Sequence, residues 1–169
     1  MSNSNPIFFW GYKGNSPKKV LSNWYPCTFK SHSGITFSSV EQYIMYHKAI
    51  LFNDFKMSKE IIECSDIKLI KQKGEMVKNF NQYIWEDNAK KIVYDGCLLK
   101  FSQNQELLNF LLSTEYRILV QANPYDKIWG IGMDEIEASK TPQHKWKGKN
   151  WLGECLVQVR ETLRYEDII

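Results

Sequence analysis

The stretch SSVEQYIMYHKAILF, Ser38 to Phe52, does most to restrict how this chain folds. At ~3.6 residues per turn, Val40, Ile44 and Leu51 fall on one side of a helix, and Met45 and Phe52 complete the same apolar arc. Glu41 and Lys48 fall inside that arc, almost superimposed in angle, whereas Gln42 and Tyr46 fall outside it. A helix that turns a carboxylate and an amine towards its own buried face must give each a partner, because an unpaired buried charge is expensive. At ~1.5 Å of rise per residue their backbones lie ~10 Å apart, too far for an easy ion pair within the helix. They need other partners, or a polar ligand between them. Each residue also has a simpler explanation. Ser38-Ser39-Val40-Glu41 reads as an S-x-x-E capping box, with Glu41 bonding back to the helix start. Lys48 can lay its stem along apolar surface while its ammonium reaches water.

Around this helix the pattern is mostly helical. Short strands are expected at Ile7 to Trp10 and in CTFK and ITF, the latter two flanking the turn SHSG that ends in Gly34. DFKMSKEIIEC and SDIKLIKQKGEMVKNF read as helices, the second with Ser65 as N-cap and Gly74 as a late weak point. The longest helical pattern runs from Tyr83 to Phe101, and NQELLNFLLST makes another. RILVQA reads as a short strand, and Asn123 to Asn150 as a loop-rich region. A final helix carries Leu152, Leu156, Val159 and Leu163 on one stripe. The expectation is a mainly α (α+β) fold: one multi-helical domain over residues 1–169 with a small N-terminal antiparallel sheet.

Composition narrows the function. A net charge of +3, with Lys and Arg spread along the chain, is too weak for a duplex-binding face but suits a site for a phosphorylated small molecule or one modified nucleotide. Cys27, Cys64, Cys97 and Cys155 form no CxxC pair, and His32, His47 and His144 complete no metal-ligand spacing, so no metal is expected. Buried thiols in a reducing compartment are the plain reading. The first residues carry no basic, apolar leader pattern, and no apolar run is long enough to span a membrane, so a cytoplasmic (or nuclear) address is expected.

Four further clusters carry chemistry-bearing residues. NPYDKIWGIG, Asn123 to Gly132, sets a turn, an acid (Asp126), a Trp (Trp129) and two Gly within ten residues, as functional loops do, although Trp129 folded into the core explains it too. KWKGKNWLG, Lys145 to Gly153, places three Lys just ahead of the last helix, a ready anion site or a solvated basic loop. LSNWYPCTF offers Asn23 beside Trp24 and Tyr25. Trp85 stands alone in the polar run NQYIWEDN, as a helix anchor or a ring presented to a ligand.

Taken in order, LSNWYP, FSSVEQYIMYHKA, Trp85 with the following LLKFSQNQEL, NPYDKIWGIG and KWKGKNWLGECLVQVRETL resemble the NADAR or YbiA-like family over nearly the whole chain. The resemblance implies a compact, mostly helical fold and hydrolysis of an N-glycosidic bond between ribose and a base-like amine, with no cofactor. Two substrate classes go with such proteins: the phosphoribosylamino-pyrimidines that open riboflavin synthesis, and ADP-ribose attached to guanine, which brings in modified nucleic acid as a partner. Carried over by position, the catalytic set falls on Glu41, Lys48 and Asp126, and the substrate-binding set on Asn23, Trp85, Tyr125, Trp129, Gly130 and Asn150. Gln121 departs from the pattern, standing where relatives often carry an acid.

Ribosyl C–N cleavage needs a stabilised cationic sugar and a protonated leaving nitrogen. Glu41 and Asp126 can supply both with water attacking directly. Alternatively a low-pKa Lys48 can exchange with a ring-opened imine to form a Schiff base. The rival function is a non-catalytic module that binds NAD or ADP-ribose in the same pocket, and a third is a structural partner protein.

Overall fold

The computed structural model describes residues 5–166 and, for Glu166, the backbone only; the residues before Asn5, part of the segment read for a leader, lie outside the described residues. In chain order the elements are β1 (Ile7–Phe9), β2 (Phe29–Lys30), β3 (Thr36–Phe37), α1 (Val40–Leu51), α2 (Phe55–Ile62), α3 (Ile67–Glu75), α4 (Gln82–Ser102), α5 (Gln105–Ser113), β4 (Leu119–Gln121), α6 (Glu135–Ser139) and α7 (Trp151–Glu166). Contacts divide them into two units, one from Asn23 to Asn104 and one built from the segments up to Ser22 and from Gln105 onward.

In the Asn23–Asn104 unit, β2 and β3 pair antiparallel, with Phe29 opposite Phe37, across the SHSG turn where Gly34 takes φ +84°. Four helices follow. Each begins at a side-chain cap that satisfies amides with no partner inside the helix. Ser39 accepts from the Gln42 amide, Asp54 from Met57, Asp66 from both Lys68 and Leu69, and Asn81 from Ile84. Two expected caps move by one residue. α3 starts at Asp66 rather than Ser65, because the carboxylate reaches two amides at once. The N-cap of α1 is Ser39 rather than Ser38, and the residue that reaches back from the first turn is Gln42 rather than Glu41. Gln42 Oε1 accepts from the backbone amide and the hydroxyl of Ser38 at 2.8 and 3.0 Å. Glu41 is thereby left out of the cap.

α1 packs against α2, α3 and α4. Its first six residues are all buried, which corrects the expected polar position of Gln42. Gln42 Nε2 donates to the carbonyls of Ile61 and Cys64 at the end of α2, so the amide buried at 3% exposure is fully used. Two glycines set how near the neighbours come. A Cβ on Gly74 of α3 would lie 1.8 Å from Met45 Sδ, and one on Gly96 of α4 would lie 2.7 Å from the Tyr43 ring. α4 buries Ala89, Val93, Gly96, Cys97 and Lys100, a stripe at three- and four-residue spacing.

In the other unit, β1 pairs in parallel with β4, Ile7 opposite Leu119. The antiparallel N-terminal sheet is thus joined by a parallel pair that no local pattern announced. α7 packs on β4 and α5, burying Leu152, Leu156, Val159 and Leu163 as their spacing predicts. The region read as loop holds α6 and a 3₁₀ turn at Gln143–Lys145. Asp134 caps α6 by accepting from the Glu137 amide, a signal too short for helical periodicity to detect. Buried Arg160 of α7 donates to Thr114 Oγ1 and the Arg117 carbonyl, both at 2.8 Å, tying α7 to the turn after α5. No helix among the described residues is long and apolar enough to cross a membrane.

Candidate active site

Released from capping, Glu41 remains buried, at 6% exposure, on the second position of α1, and its amide donates to the Asn23 carbonyl. Its carboxylate has a partner the sequence did not point to. Lys71 of α3 brings its ammonium to 3.7 Å from Glu41 Oε1. Burial pushes the Glu41 carboxyl above its ordinary range. The Lys71 ammonium opposes this most strongly, Lys48 adds to the opposition, and Glu75 works against them.

Two turns along α1, Lys48 is half-buried, its ammonium 4.5 Å from the Phe80 ring centroid and 5.6 Å from that of Trp85. Ring faces attract a cation without neutralising it. Burial lowers the Lys48 pKa, and the like charge of Lys71 lowers it further, while Glu75 and Glu41 pull the other way. Trp85 therefore sets its ring beside the Lys48 amine. Phe80, Lys71 and Glu75 were missed by sequence reasoning. Lys71 follows buried Ile70 on α3, and only the packing of α3 against α1 brings it to Glu41.

Within this unit the structure assembles a raised-pKa acid, a lowered-pKa amine, a second amine and two aromatic rings along α1. Asn23 adjoins them through the Glu41 amide, and its Oδ1 accepts from Cys97 Sγ at 3.6 Å. Such a set can lend a proton to a departing nitrogen, hold a flat base, and present an amine to a carbonyl carbon.

The remaining candidates belong to the other unit, where one loop organises them. Asp126 Oδ1 accepts from the amides of Ile128 and Trp129, each at 2.8 Å, and the Asp126 carbonyl accepts from Gly132. Gly130 is required there, since a Cβ would fall 2.8 Å from the Asp126 carbonyl oxygen. Tyr125 is exposed at 86%, and Trp129, half-buried, meets Trp151 edge-on at 5.5 Å. Asn150 takes φ +55° and uses its side-chain amide to accept from Gln121 N and donate to the Leu119 carbonyl. It also lines a cleft of ≈ 410 Å³ with Trp146, Gly148 and Lys149.

The start of α7 is not the open anion site its lysines suggested. The amides of Lys149, Asn150, Trp151 and Leu152 donate to the carbonyls of Lys127, Gly130, Ile128 and Trp129. Lys147 pairs with Glu137 at 2.6 Å, and Lys149 lies over the Trp151 ring. Gln121 Oε1, at the position that departs from the family pattern, is buried with no hydrogen-bond partner. No cluster of His, Cys, Asp or Glu among the described residues has the makings of a metal site.

Residues 8–164 match the model of the NADAR domain. N-glycosidase R617 of Acanthamoeba polyphaga mimivirus is 43% identical over 166 residues, covering 95% of this chain and 98% of that protein. The chloroplastic riboflavin biosynthesis protein PYRR of Zea mays is 30% identical over 139 residues, 76% of this chain but 20% of that protein. Among solved structures, the NMR structure of the E. coli protein YbiA superposes with a TM-score of 0.80 at 27% identity, covering 99% of this chain and 90% of that one. A family model spanning nearly the whole described chain, and a relative matched almost end to end, place this chain in the NADAR domain family.

Proposed function

We propose that this chain hydrolyses the N-glycosidic bond between a ribose and a base-like amine. The observation that carries this reading is the α1 cluster: a buried carboxyl with its pKa raised, and an amine with its pKa lowered under two aromatic rings. Membership of a family that includes named N-glycosidases supports it. Glu41 is the proton carrier. Its protonated form delivers a proton to the leaving nitrogen, and the resulting carboxylate recovers one from the attacking water. Trp85 holds the base or sugar face. Asp126, carried over by resemblance, is the carboxylate that steadies positive charge on the sugar, with Asn23, Tyr125, Trp129, Gly130 and Asn150 as binding residues.

Lys48 offers a covalent variant when the leaving group is an exocyclic amine. The sugar ring opens to an iminium, the neutral Lys48 amine adds at its carbon, and the base leaves with the proton it needs. Water then hydrolyses the Lys48 imine, releasing the sugar and restoring the amine. The substrates proposed are phosphoribosylamino-pyrimidine intermediates of riboflavin synthesis and ADP-ribosyl-guanine, alone or in nucleic acid. A cytoplasmic setting belongs to the same proposal and fits four cysteines present as thiols.

The test is release of free base from both substrate classes by the wild-type chain beside Glu41→Gln and Asp126→Asn. Glu41→Gln should lose about a hundredfold to ten-thousandfold in kcat, the range for removal of a general acid. Ligand-induced thermal stabilisation with no released base would replace this reading by the NAD- or ADP-ribose-binding module.

A further inference from the structure

We infer that Lys71 is a positioning residue for the proton transfer, holding the Glu41 carboxylate in place from α3 and offsetting its charge when the proton has left. The inference rests on Glu41 being the reacting acid. Its own basis is geometric. Lys71 Nζ is 3.7 Å from Glu41 Oε1, and the two partners differ sharply in exposure, 43% for the lysine side chain against 8% for the glutamate. The ammonium therefore keeps its hydration while the carboxylate it neutralises does not. The approach is built in from the other side too: Gly74, one turn after Lys71, has no Cβ, and α3 lies against Met45, one turn after Glu41.

The neighbouring charges leave Lys71 this task. On α1 itself, Lys48 is engaged with the Phe80 and Trp85 rings. On α3, Glu75 adds a like charge, and Lys73 is paired with Glu60 of α2 at 2.7 Å. Lys59 of α2 and Glu63, just after the helix, face each other at 3.9 Å. On α4, Asp95 pairs with Lys91 and acts on Tyr43 and His47. When Glu41 gives its proton to the leaving nitrogen, a negative charge is left in a dry setting. Lys71, 3.7 Å away, stabilises that charge. When the attacking water returns a proton, the pair relaxes to a neutral acid beside an ammonium. Without Lys71 the buried carboxyl would hold its proton more tightly.

The test titrates Glu41 without substrate, by ¹³C NMR of labelled glutamate carboxyls assigned with Glu41→Gln, in the wild-type chain, Lys71→Met and Lys71→Arg. The pH profile of kcat on the cleaved substrate is measured for the same variants. Lys71→Met should move the Glu41 midpoint to higher pH, carry the kcat profile with it, and lower kcat roughly tenfold with little change in KM. Lys71→Arg, which keeps the charge, should restore both. A Glu41 midpoint that stays put in Lys71→Met overturns the inference and leaves the role of Glu41 untouched. A midpoint that moves while kcat and its profile do not also overturns it. Full turnover by Glu41→Gln overturns the reading underneath instead.

Discussion

A buried acid whose pKa is raised weakens the folded state at neutral pH, and Glu41 is such an acid. Below the ordinary carboxylate range it is protonated both folded and unfolded and costs nothing. As pH rises through the ordinary value towards the raised one, the unfolded chain ionises first and stability is lost. Glu41→Gln should therefore raise Tm at pH 7 to 8, with the gain vanishing at pH 3 to 4 (roughly, from the ordinary range), as calorimetry at both pH values will show. Loss of turnover with gain of stability is the pattern of an active-site residue rather than a structural one. Lys48 has a chemical test: borohydride added during turnover should leave a reduced sugar adduct on Lys48, found by mass spectrometry and absent from Lys48→Ala. Normal turnover by Lys48→Ala would eliminate the imine route. At this scale the sequence was informative for a physical reason. Charged side chains in an apolar arc are improbable without partners, so Glu41 and Lys48 were visible from one helix. Lys71 and Phe80 were not, because their meeting with α1 depends on how separate segments pack.

Among the elements, α1 and α3 carry the cluster, and their spacing depends on Gly74. Gly74→Ala should push α3 off Met45 and destabilise the chain by about 1–3 kcal/mol, as overpacking does. Urea denaturation will read this, and a Glu41–Lys71 separation that widens should show as a changed Glu41 titration. The glycine was legible only as a weak point in a helix. Its reason, the Met45 side chain, lies on another helix. Capping signals behaved in the same way. The S-x-x-E pattern was real as a helix start, but Ser39 and Gln42 offered an equivalent frame one residue later. The carbonyls at the end of α2 settled the choice by giving Gln42 Nε2 its partners. α6 escaped notice because five residues are too few for a 3.6-residue period to repeat.

For the whole molecule, the proposal that residues 1–169 form one domain has a calorimetric test. One transition with matching calorimetric and van't Hoff enthalpies is expected, and two resolved transitions would make the Asn23–Asn104 unit a domain of its own. The helical class was readable from periodicity, whereas the pairing of β1 with β4 was not, since parallel strands distant in sequence share no turn signal. That pairing has a bearing on biosynthesis. As the chain leaves the ribosome, the whole stretch that supplies Glu41, Lys48 and Lys71 is out before Leu119 has been added. The first strand must wait, its edge open, until most of the polypeptide has been made. Truncated nascent chains ending before β4 should consequently be the aggregation-prone species, and a chaperone that shields an extended apolar segment would act first on Ile7 to Phe9.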